Sequence, residues 1–251
     1  MRFALLGSGS RGNATLIEEG DTCLLVDCGF SMREAERRMA LLGASPRRLS
    51  AILVTHEHHD HLSGVGALAR KYRIPVWLTA GTEAAGKRRL GELPQRVVLN
   101  SHSDFAIGDL NLHPFPVPHD AREPCQFVFS NGDKRLGLLT DTGCCTPHIE
   151  RQLDGCDALI LESNHDRQML AAGPYPPALQ ARVGGNLGHL SNDQAAEILQ
   201  RIDSRSLQHL VAAHLSEKNN TPELAVEALS GALGCEREWI TLADQGGGLG
   251  W

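Results

Sequence analysis

The chain lacks any apolar run long enough to cross a bilayer, it has no excess of basic charge, and it contains no C-x-x-C pair. A membrane-spanning helix needs about 20 consecutive apolar residues. The opening stretch MRFALLGSGSRGN has too short an apolar run for a signal peptide and no A-x-A-like cleavage site. A cytoplasmic protein with no membrane partner is therefore expected. A formal net charge of −6 gives no bulk field to attract nucleic acid, so a nucleic-acid substrate would need local positive charge of the kind a metal site supplies. The seven cysteines are odd in number and irregularly spaced, with Cys144 and Cys145 adjacent. That pattern excludes a disulfide scaffold and points to inert thiols in a reducing compartment. No repeat, low-complexity tract or Pro/Gly linker divides the 251 residues, and a single domain over 1–251 is expected.

The patterning that is present alternates short apolar strands with amphipathic helices. FALLG, ATLIEE and CLLVDCG predict three strands, and SMREAERRMALLG predicts a helix with Ser31 and Glu34 spaced as a capping box and Gly43 at its end. AILVT, PVWLT, DALILE, LQHLVAAH and EWITLA predict further strands. LSGVGALARKY, SNDQAAEILQRI (Ser191 and Gln194 as a second capping box) and TPELAVEALSGAL predict helices, the last capped by Thr221 with Pro222 at its first position. Between them DFAIGDLNLHPFPV and CQFVFSNGDKRLGLLT read as hairpins. Two similar halves, each mixing strands with outer helices, imply two sheets face to face with helices outside. Asp27, His56, Asp141, Glu162 and His214 all stand where predicted strands end, the usual place for ligand sites in α/β proteins.

One stretch dominates the chemistry. THEHHDH, Thr55 to His61, carries four histidines and an aspartate. Imidazole nitrogens and carboxylate oxygens are metal donors, and such a crowd destabilises a fold unless something pairs with it. His56 and His58 are one residue apart, so an extended backbone points both to one side and lets both grip one ion. Asp60 and His61 follow as the chain turns into a helix and could serve a second ion nearby.

THEHHDH resembles the signature motif of the metallo-β-lactamase superfamily. Asp27 in LLVDCG, His119 in VPHD, Asp141 in LLTDTG and His214 in AAHLS match its other motifs in chain order. The resemblance covers nearly the whole chain and implies an αββα four-layer sandwich with a dinuclear site at one edge. It implies two divalent ions, zinc or manganese: His56, His58 and His119 on the first, Asp60, His61 and His214 on the second, Asp141 bridging, and Asp27 orienting the metal loop. His102, His113, His148 and His209 match no motif.

Within that superfamily, imidazole at His58 speaks against diiron redox proteins, which carry a carboxylate there. His61 and the missing secretion signal speak against the β-lactamases themselves. SGSRGN, NHD, GHLSN and HLSEKNN are similar to the small bacterial branch called YycJ, WalJ or VicX, proposed to be DNA exonucleases, and LESNHD with GHLSN resembles elements of tRNA 3′-end processing nucleases. The resemblance implies a phosphodiesterase acting on nucleic acid, with DNA preferred as substrate. Asp60, Glu162 and His189 are its expected catalytic residues, His189 as proton donor to the leaving group. Ser8, Ser10, Asn13, His165, Tyr175 and Arg182 are the expected substrate contacts. Gly7, Gly9 and Gly12 would let backbone approach an anion. The chain lacks the large inserted domain of long exoribonucleases and a protruding tRNA-binding arm, leaving RQMLAAGPYPPALQARVGG as the candidate specificity element. A thioesterase of the glyoxalase II type has the same ligand set and is the second reading. A metal-dependent regulatory or partner-binding protein is the third.

Overall fold

A computed structural model describes residues 1–246 and 248–251. The chain forms two compact units, Met1–Pro116 with Ala121–Cys125 and Asp244–Trp251, and Val117–Asp120 with Gln126–Ala243.

The first unit contains strands β1 (Arg2–Gly7), β2 (Ala14–Glu19), β3 (Thr22–Val26), β4 (Ala51–Leu53), β5 (Val76–Leu78), β6 (Arg96–Val98), β7 (Phe105–Ile107) and β8 (Leu110–Pro116). Its helices are α1 (Met32–Leu41), α2 (His59–Leu62), α3 (Val65–Tyr72) and α4 (Ala80–Leu90). Strands β1 to β6 lie side by side in chain order. The first three pair antiparallel, β1 to β2 through the loop 8–13 and β2 to β3 through a two-residue turn, and β3 to β6 run parallel because a helix crosses between each pair. Leu16, Leu25, Ile52 and Val76 of the sheet bury with Met39, Leu62 and Leu68 of the helices in one hydrophobic core. Strands β7 and β8 form the expected hairpin. Asp109 in its turn accepts from the Thr22 hydroxyl at 3.1 Å, which fixes the hairpin to the start of β3.

The second unit contains β9 (Cys125–Ser130, its first residue in the other unit), β10 (Arg135–Leu139), β11 (Ala158–Glu162), β12 (His209–Ala213) and β13 (Ile240–Leu242). Its helices are α5 (Pro147–Leu153), α6 (Arg167–Ala172), α7 (Pro177–Val183), α8 (Asn192–Arg201) and α9 (Pro222–Leu233). The strand order is β13-β12-β11-β10-β9, antiparallel in the β9–β10 hairpin and parallel from β10 to β13. Helices α8 and α9 pack together on this sheet's crossovers, burying Ala195, Ile198, Ala225 and Leu229.

Cap chemistry sets several boundaries. Ser191 and Gln194 form the complete reciprocal capping box at α8, and Thr221 caps α9 with Pro222 behind it. At α1 only half of the expected box exists. Ser31 accepts from the Glu34 amide, but the Glu34 carboxylate is taken by Arg37 and Arg38. Two bidentate-capable guanidiniums outcompete one backbone N–H for that carboxylate. The candidate specificity segment 167–185 contains the two short helices α6 and α7, with Pro177 at a first-turn position where its missing N–H is harmless.

Candidate metal centre

In the first unit three segments converge on the THEHHDH loop. Strand β4 delivers Thr55, whose backbone N–H donates to Asp27 Oδ1 at 2.8 Å and whose hydroxyl donates to Asp27 Oδ2 at 2.7 Å. Asp27 follows β3 in a left-handed conformation, φ 60°, a turn that aims its carboxylate back across the strand ends. Its Oδ2 also lies 2.8 Å from His61 Nδ1. A carboxylate can only accept, so that ring carries its proton on Nδ1 and keeps a lone pair at Nε2. His56 is held in the same tautomer. The Thr55 hydroxyl has spent its proton on Asp27, so His56 Nδ1, 3.0 Å away, must be the donor and its Nε2 the lone-pair atom. The His56 ring lies 4.1 Å from that of His61 and 4.6 Å from that of His58. Asp60, in the first turn of α2, has an oxygen 3.5 Å from His61 Nε2.

The loop preceding β2 supports this arrangement. The Asn13 backbone N–H donates to Asp60 O at 2.7 Å, and its side-chain nitrogen stands 3.0 Å from His61 Nε2 and 3.3 Å from Asp60 Oδ2. Asn13 Oδ1 accepts from the Gly9 amide at 2.8 Å. The expected substrate contact Asn13 thus spends its amide inside the loop. Gly12 adjoins the Phe30 ring, which a Cβ there would meet at 2.7 Å, so packing against Phe30 requires that glycine. Ser8 is buried with its backbone N–H on Asp244 O, and Ser10 is exposed. Gly29 is needed for close approach, because a Cβ would fall 1.7 Å from Asp60 O.

The second unit gathers His119, Asp141, Glu162, His189 and His214. His119 Nδ1 donates to Gly188 O at 3.0 Å, so its lone pair is again at Nε2. Asp141 after β10 and His214 after β12 adopt left-handed backbone, φ 54° and 56°. Such conformations cost on the order of 1–3 kcal/mol each and persist only where surrounding structure enforces them. Glu162, at the end of β11, is fully buried. Its Oε1 lies 2.9 Å from Nδ1 of both His189 and His214, while Oε2 accepts from the Thr142 and Leu190 amides at 3.1 Å each. Burial works against the Glu162 charge, but the charge of His189 and the hydrogen bonds from His189 and His214 outweigh it and hold the carboxyl down to about 2. Burial likewise opposes charge on His189, yet Glu162 and then Asp141 raise its pKa above the ordinary histidine value. Atoms of Asp141, Glu162, His189 and His214 all fall within 4.8 Å of one another.

The sequence paired Glu162 with His189 alone; the structure adds His214 to the same oxygen. It also shows two residues to which the sequence assigned no role. Thr55 joins Asp27 to His56, and Asn164 donates from its side chain to His214 O at 2.8 Å. The Asn164 backbone meets Leu190 O and the Ser216 amide, tying the β11 exit to the turns bearing His189 and His214. Asn192 and Asn220 exchange side-chain hydrogen bonds behind it at 2.8 Å. Asparagines after an apolar strand were the available signal, since their side chains satisfy turn backbone. Of the remaining expected substrate contacts, His165 is buried, Tyr175 has Lys218 Nζ 5.6 Å from its ring centroid, and Arg182 donates to Asp120 Oδ2 at 2.5 Å.

Within the first unit His56 and His61, held with Nε2 lone pairs, stand with His58 and Asp60; within the second His119 and His214, also bonded through Nδ1, stand with Asp141. Each unit thus carries nitrogen and oxygen donors of the kind that suits a borderline divalent ion such as zinc. Two mixed sheets with flanking helices and this donor chemistry at their strand ends define a metal-dependent hydrolase of the α/β class. The chain belongs to the β-lactamase superfamily, whose domain description matches residues 22–214. It is 36% identical over 93% of its length to exodeoxyribonuclease YycJ of Bacillus anthracis, covering 89% of that protein. To exodeoxyribonuclease WalJ of Streptococcus pneumoniae it is 36% identical, with 89% of this chain and 85% of that protein covered. Among solved structures it resembles the metallo-β-lactamase fold protein YhfI from Bacillus subtilis, TM-score 0.75 at 16% identity over 97% of both chains. The fold class expected from the motifs is thereby met. No helix among the described residues is long and apolar enough to cross a membrane.

Proposed function

We propose that the protein is a dinuclear metal-dependent nuclease that hydrolyses DNA phosphodiesters, with zinc or manganese as the ion. Following the order of the family's motifs, His56, His58 and His119 would hold one ion, Asp60, His61 and His214 the other, with Asp141 shared. Bound divalent ions supply Lewis acidity that acidifies water and offsets phosphoryl charge. The protein's own groups do the rest. Asp27, Thr55, Glu162 and the Gly188 carbonyl fix ligand tautomers before any ion arrives. His189, 23% exposed at its side chain and anchored through Nδ1 to Glu162, presents its other nitrogen as a proton donor.

The observation that carries the choice of reaction is this His189–Glu162 pair. An alkoxide leaving group needs a proton, whereas the thiolate of a thioester leaves without one. A carboxylate-backed imidazolium beside the ligand cluster therefore supports phosphodiester cleavage over the thioesterase reading. The exodeoxyribonuclease names of relatives at 36% identity support DNA over RNA.

Metal-loaded protein incubated with end-labelled single- and double-stranded DNA and RNA, beside a thioester panel, tests the proposal. Mononucleotides or ladders from DNA are expected. Thioester turnover with all nucleic acid left intact would overturn it.

A further inference from the structure

Beyond the metal centre, the second unit holds a concavity of about 570 Å³ between α6, α7 and the start of α8. Leu170, Pro177 and Ala181 give it apolar walls, while His165, Arg167 and Asn186 supply polar edges. His165 is only 2% exposed, and its Nδ1 has no hydrogen-bond partner among the described residues. A buried acceptor left unpaired is tolerated better than a buried N–H. The proton therefore belongs on Nε2, the atom on the side of Gly184 in the pocket wall. Burial pushes the His165 pKa down to about 4, so the ring is neutral near pH 7.

We propose that this pocket binds a nucleobase of the substrate strand, with the His165 ring donating to an acceptor on the base edge. The inference rests on the nuclease reading and adds to it a base-binding subsite. A base fits the lining better than a phosphate does. The one cation among the described lining residues, Arg167, already has its Nε 3.1 Å from Ser191 Oγ and 3.5 Å from Asp193 Oδ2, and a neutral imidazole adds no charge. Apolar walls suit the faces of a planar ring, and the imidazole with the Asn186 amide suits its edge. The pocket also lies within reach of the cleavage machinery. His165 follows Glu162 by three residues and Asn186 precedes His189 by three. Three residues span at most ~11 Å, about three nucleotide steps of ~3.4 Å in a stacked strand. The base bound here is thus one of the first three beside the scissile bond.

Two measurements test this. The first compares kcat/KM on single-stranded oligodeoxynucleotides with an abasic residue at each of the first three positions next to the cleaved bond. The parent should lose at least tenfold at one position, and His165→Leu should abolish that position's preference, cleaving abasic and intact strands alike. Gly184→Ala, which adds a methyl 3.2 Å from Leu170 Cδ2 and 3.9 Å from His165 Nε2, should weaken the same preference while keeping the imidazole. The second follows the His165 ring nitrogens by NMR while free deoxynucleosides are titrated in, with resonances assigned by their loss in His165→Leu. DNA cleavage with no abasic penalty at any position overturns the pocket and leaves the nuclease standing. No DNA cleavage, but saturable nucleoside shifts at His165, overturns the nuclease and supports the pocket. Neither abasic penalty nor nucleoside shift, with the parent folded, overturns the pocket outright.

Discussion

Asn164 holds His214 in place: its side-chain amide donates at 2.8 Å to the carbonyl of a histidine whose backbone is left-handed, φ 56°. Losing that donor removes a buried hydrogen bond and leaves the strained turn free to relax, at a cost of about 1–3 kcal/mol. Asn164→Ala should therefore weaken divalent-ion affinity by roughly tenfold without changing the helical content. Ion titration by calorimetry reads it, and an unchanged affinity would mean the turn needs no such tether.

Asp27 receives the Thr55 amide, the Thr55 hydroxyl and His61 Nδ1 together. Asp27→Asn replaces one accepting oxygen by a donor, so either Thr55 or His61 must let go and the His61 lone pair can move from Nε2 to Nδ1. Ion affinity should fall by ~10–100-fold. The measurement is ion retention during dialysis against a chelator series, and parental retention would remove Asp27 from the tautomer-setting role.

The leaving-group role of His189 has a substrate signature. His189→Ala should slow DNA cleavage by roughly 10²–10⁴-fold, the span usual for general acid catalysis. Bis(p-nitrophenyl) phosphate, whose phenolate departs unprotonated, should be turned over at close to the parental rate. Equal losses on the two substrates would exclude proton donation.

Metal content follows from the donor count of His56, His58, Asp60, His61, His119, Asp141 and His214. Elemental analysis after reconstitution and desalting should approach two ions per chain, and His61→Ala should lower it. A parent that saturates at one ion refutes the dinuclear assignment.

The sheet strands and the placement of polar groups at their ends were legible because apolar runs such as CLLV and ALIL stop abruptly at a carboxylate, and AILV stops one threonine short of His56. The pairing of Glu162 with His189 was legible from two separated motifs. What could not be read is conformational. Asp27, Asp141 and His214 take a backbone usually left to glycine, and no local composition announces it; Asp27 and His214 are held by hydrogen bonds from segments distant in sequence. Helices α6 and α7 were not predicted because Gly173, Pro174, Pro176 and Pro177 interrupt any helical pattern there, although Pro177 suits a first helical turn. The Glu34 half of the α1 capping box failed because Arg37 and Arg38, one turn on, compete for the same carboxylate.

Strand β1 lies at the margin of its sheet, where unpaired N–H and C=O groups would invite another chain to dock. Leu249 pairs with Leu5 there through two 2.9 Å hydrogen bonds. Trp251 secures the segment, its ring 4.1 Å from the Arg2 guanidinium carbon and its Nε1 donating to Leu42 O at 2.9 Å. Residues 248–251 therefore occupy part of the β1 edge on which another chain could dock. Trimming them should leave the donor cluster intact and increase concentration-dependent self-association.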